Sequence, residues 1–152
     1  MSLPPFRYYL RVRYGECDAQ KVVFNARYGD YIDLAITEFF RALGYGEQMV
    51  TAEVDFQLVK QVKEWRAPAR YDDVLEGSVS TLRVGTTSFA LQCTFRIAGR
   101  EGVICECETV YVLVDAATLT KRAVPSEMRE RLLRGAPGAQ IDHAGHLPRA
   151  GG

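Results

Sequence analysis

The residues with chemistry to offer cluster in one short stretch, Tyr14 to Tyr28, reading YGECDAQKVVFNARY. It holds a carboxylate, Asp18, a thiol, Cys17, and Asn25 at the point where a helical pattern begins. A helix start carries unpaired N–H groups and a partial positive charge, which suits a developing oxyanion. A carboxylate on the approach to it supplies a nucleophile or a general base. Carboxylate and oxyanion site together are a minimal acyl-transfer apparatus. A plainer reading stands beside it, because a loop Asp commonly caps a turn through its own backbone. Cys17 is the rival nucleophile, but the only histidines, His143 and His146, lie far along the chain and offer it no partner base. Those two histidines without further ligands make a poor metal site. No G-x-S-x-G elbow and no glycine-rich phosphate loop occurs.

The surrounding pattern says what must position these groups. Arg7 to Tyr14 alternates, with Tyr8, Leu10, Val12 and Tyr14 on one side, which predicts a strand with one buried face. Gly15 to Val23 breaks the alternation and reads as a loop. From Asn25 the period becomes 3.6: Tyr28, Tyr31, Ile32, Ala35, Ile36, Phe39, Phe40 and Leu43 recur three and four apart. Asn25 is the expected N-cap and Gly44 the expected stop. A helix this apolar and aromatic is expected inside a sheet rather than on a surface. Four strand-like runs follow: Val54 to Trp65, Asp73 to Arg83, Phe89 to Ile97 and, after a turn at Ala98 to Gly102, Val103 to Val114. A short helix is expected from Pro125 to Leu133. The order predicts an α+β domain, one antiparallel sheet of about five strands wrapped around a long helix. It spans 1–134, with the Gly/Ala/Pro-rich 135–152 a disordered tail.

Composition narrows the function classes. The chain has 152 residues, 47% hydrophobic and 25% charged, enough for one domain with a proper core. Nineteen basic residues balance nineteen acidic ones, so no whole-chain field draws nucleic acid. No run approaches the ~20 apolar residues of a membrane span. The N-terminal MSLPPFRYYLRVRY lacks a signal peptide's apolar core, and the expected location is cytoplasmic. Cys93, Cys105 and Cys107 fall on buried strand positions and read as core thiols.

The segment YGECDAQKVVFNARYGDYID resembles the active-site signature of 4-hydroxybenzoyl-CoA thioesterase-like proteins, which have the hot-dog fold. The likeness continues in PARYDDVLEGSV (Pro68–Val79), RVGTTSF (Arg83–Phe89) and VYVLVD (Val110–Asp115). The resemblance implies an acyl-CoA thioester hydrolase with no metal and no redox cofactor, CoA entering as part of the substrate. It implies that Asp18 attacks the thioester carbonyl or activates water, and that the Asn25 backbone N–H polarises that carbonyl. Phe24 and Tyr28 would shape the acyl pocket or simply pack the core, and Tyr31 and Tyr45 are further candidates for its lining. Arg83, Thr87 and Ser88 fall where relatives contact CoA. Several relatives carry Arg or Lys where this chain has Gly85 and Thr86, which leaves room for an acyl-carrier-protein thioester. The family further implies a homodimer or homotetramer with active sites between subunits. Two other classes remain. An enoyl-thioester hydratase or dehydratase would want an Asp/His pair; a non-catalytic acyl-thioester-binding module would lack a competent carboxylate.

Overall fold

The structure is a computed structural model and describes residues 2–149. Its elements are β1 (Phe6–Arg11), α1 (Arg27–Ala42), α2 (Gly46–Val50), β2 (Phe56–Trp65), β3 (Val74–Val84), β4 (Ser88–Ile97), β5 (Val103–Leu113), α3 (Ser126–Arg134) and β6 (Gln140–Asp142). A single 3₁₀ turn, Tyr14–Glu16, follows β1. The strands form one sheet in the order β2-β5-β4-β3-β1-β6, antiparallel throughout except that β6 joins β1 in parallel.

The aromatic stripe of α1 decides the architecture. Tyr28, Tyr31, Ile32, Ala35, Ile36, Phe39 and Phe40 are all buried, while off-stripe Leu34 is exposed. They meet the inner faces of three strands: Phe39 against Phe6 of β1, Tyr31 against Phe95 and Phe40 against Phe89 of β4, and Phe40 stacked on Phe56 of β2. Each fully buried side chain of this size contributes about 1.5–3 kcal/mol. Gly77 allows the close fit, because a Cβ there would stand 2.7 Å from the Phe95 ring. The helix therefore lies in the concave face of a curled sheet, as its pattern predicts.

Four expectations need correction. Helix α1 starts at Arg27 with Ala26 at the cap, so Asn25 lies one residue before the cap and its side chain caps nothing. Tyr14 is not an inward strand residue; the chain turns there, and its ring is exposed edge-on to Tyr71. Helix α2 has no counterpart in the expected order. The largest correction concerns 135–152, expected as a disordered tail. Its described part runs back along β1, where Arg7 N–H donates to Ala139 O (3.1 Å) and His143 N–H to Tyr9 O (2.9 Å). Tyr8 Oη and His143 Nδ1 are 2.9 Å apart, and the Arg11 guanidinium donates to Ala144 O. The Asp142 carboxylate accepts the N–H groups of Ala144 and Leu147. Three paired residues leave no periodic trace in a sequence, and a glycine-rich composition hides the contact.

This docking covers Tyr9, which points away from α1 yet is buried, with His146 against its ring. Truncation after Arg134 should lower stability by at least about 2 kcal/mol, given the lost hydrogen bonds to β1 and the uncovered ring. Thermal unfolding with amide exchange of β1 measures it. A freely moving tail would leave both unchanged.

Candidate functional site

The loop between β1 and α1 is pinned at its base and at its middle. At the base, Val12 N–H donates to Asp73 O, and Val23 N–H donates to Ala69 O. At the middle stands Glu16, which is buried. One carboxylate oxygen accepts the Arg13 N–H (2.7 Å) and the Tyr31 hydroxyl (2.9 Å); the other accepts the Arg13 guanidinium (2.9 Å from Nη2). Burial alone would raise this carboxyl, but those hydrogen bonds outweigh it and hold it below the usual range. The same bond to Glu16, added to burial, pushes the Tyr31 phenol up. Tyr31 belongs to α1, so Glu16 ties the loop to the helix.

Asp18 follows in a tight turn. Its N–H donates to Val22 O, its carbonyl accepts from Lys21 N–H, and its Oδ1 accepts the Gln20 N–H at 2.8 Å. Lys21 takes a positive φ of 64° to close the turn. The turn-cap reading thus describes one oxygen of Asp18. The other has no hydrogen-bond donor and no ion-pair partner among the described residues, and the side chain is half-buried.

The turn opens towards the helix start. The Arg27 N–H donates to Phe24 O, while the N–H groups of Asn25 and Ala26 have no acceptor among the described residues. Asp18 and Asn25 line one cleft of about 270 Å³, with Val22, Tyr28, Trp65 and Pro68 among its other walls. Asp18, with one carboxylate oxygen free, and Asn25, with its N–H free at the helix start, thus border the same cleft. On its other side Asp18 borders a hollow with Tyr14, Cys17, Lys21 and Tyr71.

The remaining candidates divide. Tyr28 is buried, lines the cleft and packs edge-on to Trp65 at 6.0 Å. Phe24 is 47% exposed and lines neither hollow. Tyr31 is held in the core by Glu16, and Tyr45 lies beyond the far end of α1 beneath the Arg131 guanidinium. Arg83, Thr87 and Ser88 stand apart from Asp18 in this chain. Asp73 marks the loop's base, and Arg83 lies ten residues further along β3, roughly 30 Å at strand rise. Arg83 is paired to Glu108 at 3.0 Å. The turn at Gly85 is clamped by Arg129, which donates to the carbonyls of Val84 and Gly85. Sequence reasoning missed Trp65 as a wall of the cleft and Glu16 as the loop's anchor. An aromatic ending an edge strand beside Pro68 was the available signal for the first.

The rivals to Asp18 fare poorly. Burial, with Asp18 and Glu16 nearby, raises the Cys17 thiol and keeps it protonated. Cys93, Cys105 and Cys107 are buried, the Cys105 thiol pushed up to about 12 by burial. His143 and His146 are engaged by Tyr8 and Tyr9 and line neither hollow at Asp18. Among the described residues no group of three or more His, Cys, Asp or Glu could hold a metal ion. Nor is any helix among them long and apolar enough to cross a membrane.

Comparison with known proteins bears on the family and the fold. A family model described as the thioesterase-like superfamily matches residues 12–132. The acyl-CoA thioester hydrolase YbgC of Escherichia coli is 35% identical over 130 residues, covering 84% of this chain and 96% of the relative. The solved structure of a gentisyl-coenzyme A thioesterase superposes with a TM-score of 0.72 at 26% identity, covering 83% of this chain and 98% of that one. A hypothetical protein from Aquifex aeolicus superposes with a TM-score of 0.76 at 26% identity, covering 84% and 99%. The curled sheet around α1 is the hot-dog fold, and the chain belongs to the thioesterase-like superfamily.

Proposed function

We propose that this chain hydrolyses acyl-CoA thioesters to a carboxylic acid and free CoA, with Asp18 as the catalytic carboxylate. The observation that carries it is the free Asp18 oxygen sharing a cleft with the unpaired Asn25 N–H at the start of α1. The thioester carbonyl oxygen accepts from the Asn25 N–H, and the helix N-terminus stabilises the oxyanion that forms. The free Asp18 oxygen then acts in one of two ways. It takes a proton from water as that water attacks the carbonyl carbon, or it attacks the carbon itself to give a mixed anhydride that water cleaves. Both routes expel the CoA thiolate, and the side chain of Asn25 is not needed because the backbone is the donor. The four free thiols fit a reducing, cytoplasmic setting.

The working unit in this reading is a homodimer or a dimer of dimers. Strand β2 is a ten-residue sheet edge with Leu58, Val59, Val62 and Trp65 exposed, a ready template for a second copy. A two-fold axis pairing β2 with its copy sets the strands antiparallel. The Trp65 end of one chain then adjoins the Phe56 end of the other. Phe56 pairs with Leu113, whose N–H donates to Thr87 O, so the Arg83–Ser88 turn of the second copy approaches Asp18 of the first. With Arg83 committed to Glu108, the turn offers Thr87 and Ser88 rather than a free cation, and an acyl-carrier-protein thioester is the second carrier to assay.

Asp18→Asn should lower kcat by ~10²–10⁴-fold with substrate binding retained. Asn caps the turn as well as Asp, so an unchanged rate in a thiol-release assay would assign Asp18 to the turn alone. Light scattering at assay concentration should give a dimer or larger. A fully active monomer of 17.0 kDa would overturn the assembly.

Glu16→Gln should loosen the loop without touching the cleft. The wild-type carboxyl is lowered in the fold, so its contribution is complete above the unfolded value of 4.5 and is lost as pH falls through the folded value. The stability gap between wild type and Glu16→Gln should therefore be about 1–3 kcal/mol near neutrality and shrink in acid. Thermal unfolding across pH 3 to 7 reads it; a gap independent of pH would show that the charge at Glu16 is not what holds the loop.

A further inference from the structure

The middle of the inner face of β2, between Phe56 and Trp65, is polar where an apolar face would pack better. Trp65 meets Tyr28 of α1, so the alternating positions Trp65, Lys63 and Gln61 face the helix. Their cross-strand partners Cys105, Cys107 and Thr109 are buried, which places all three on the inner side. Gln61 is satisfied, its amide donating to Thr109 Oγ1 at 3.0 Å. Lys63 is not. Among the described residues it enters no ion pair and makes no side-chain hydrogen bond. Yet it is half-buried against α1, its Nζ 3.5 Å from where a Cβ on Gly29 would stand. Asp33, one turn further along α1, is raised chiefly by burial and lowered by Lys63, but the two are not within ion-pair distance. The ammonium keeps contact with solvent and has no carboxylate of its own, so it is free to pair with a negative charge that something else supplies.

Its position relative to the thioester says what that is. Gly29 lies one helical turn beyond Asn25, ~6 Å along the axis. Lys63 lies two residues from Trp65 on β2, ~7 Å, and Trp65 lines the cleft of Asp18. An acyl chain running along α1 from the Asn25 N–H reaches the ammonium after about five carbon–carbon bonds. We propose that Lys63 determines specificity, and that the site takes thioesters whose acyl chain ends in a carboxylate, which pairs with the Lys63 ammonium. This rests on the hydrolase reading above and names its substrate class.

The test compares adipyl-CoA with hexanoyl-CoA, which differ only in a carboxylate for a methyl. Lys63→Met keeps most of the apolar stem and removes the charge. Wild type should favour adipyl-CoA in kcat/KM, and Lys63→Met should lose about tenfold or more on it, through KM, while hexanoyl-CoA is unchanged or better. Equal effects on both substrates, no effect on either, or a wild-type preference for hexanoyl-CoA would overturn the proposal. So would loss of both activities together with dissociation in light scattering, since Lys63 would then be an interface residue. Binding of the two thioesters to Asp18→Asn by calorimetry keeps the two readings apart. A charge preference there that Lys63→Met abolishes supports this proposal even if Asp18→Asn still turns over. The absence of a preference overturns it even if Asp18 proves catalytic.

Discussion

Burial of the α1 aromatic stripe inside the sheet is the constraint from which the site follows. Seven buried side chains on one helix cannot be covered by a flat sheet, so the strands curl until Phe6, Phe56, Phe89 and Phe95 surround them. A helix held this tightly has its N-terminus fixed, and with it the free N–H of Asn25 beside the Asp18 cleft. In the proposed mechanism, packing of the core is thereby also what preorganises the oxyanion site, at no further cost at the moment of reaction. The loop need only bring a carboxylate to that fixed point.

Glu16 shows how the loop manages this. A buried carboxylate must be fully hydrogen-bonded to be tolerable, and Glu16 uses its oxygens on Arg13 and on Tyr31 of α1. The loop is then registered against the helix that supplies the N–H donors. Two residues later Asp18 does the opposite, with one oxygen engaged by Gln20 and the other left open. The Asx turn and the proposed catalytic role are therefore not rivals. The turn fixes the side chain's direction with one oxygen and leaves the second for chemistry.

What the sequence made legible follows from what leaves a periodic or local trace. The four long strands and α1 were readable because burial imposes periods of 2 and 3.6 over ten or more residues. The Asp18 turn and the helix start were readable because both lie within a dozen residues. Asn25 was placed at the cap because its type suits one, whereas the chain reaches Ala26 before turning helical. The separation of Arg83, Thr87 and Ser88 from Asp18 was not readable, because it depends on which end of β3 each occupies. The docking of 135–149 on β1 was hidden for a related reason. Parallel edge pairing needs no turn and here uses only three residues.

The two sheet edges end up unequal, and that inequality bears on function. On one side β6 covers β1, and His143 fastens it there through Tyr8 and the Tyr9 carbonyl, so that edge offers no long run of free backbone groups to another chain. On the other side β2 stays open for its full ten residues, with apolar side chains exposed along it. An antiparallel sheet protected at one edge alone has one route to edge-to-edge growth, and pairing like with like closes it after two copies. In the proposed dimer the same pairing would bring the Gly85 turn of one copy towards the Asp18 cleft of the other, across the roughly 30 Å that separates them within a chain. Arg129 holds that turn through the Val84 and Gly85 carbonyls, so it would arrive already shaped. The C-terminal segment thus decides which edge remains free.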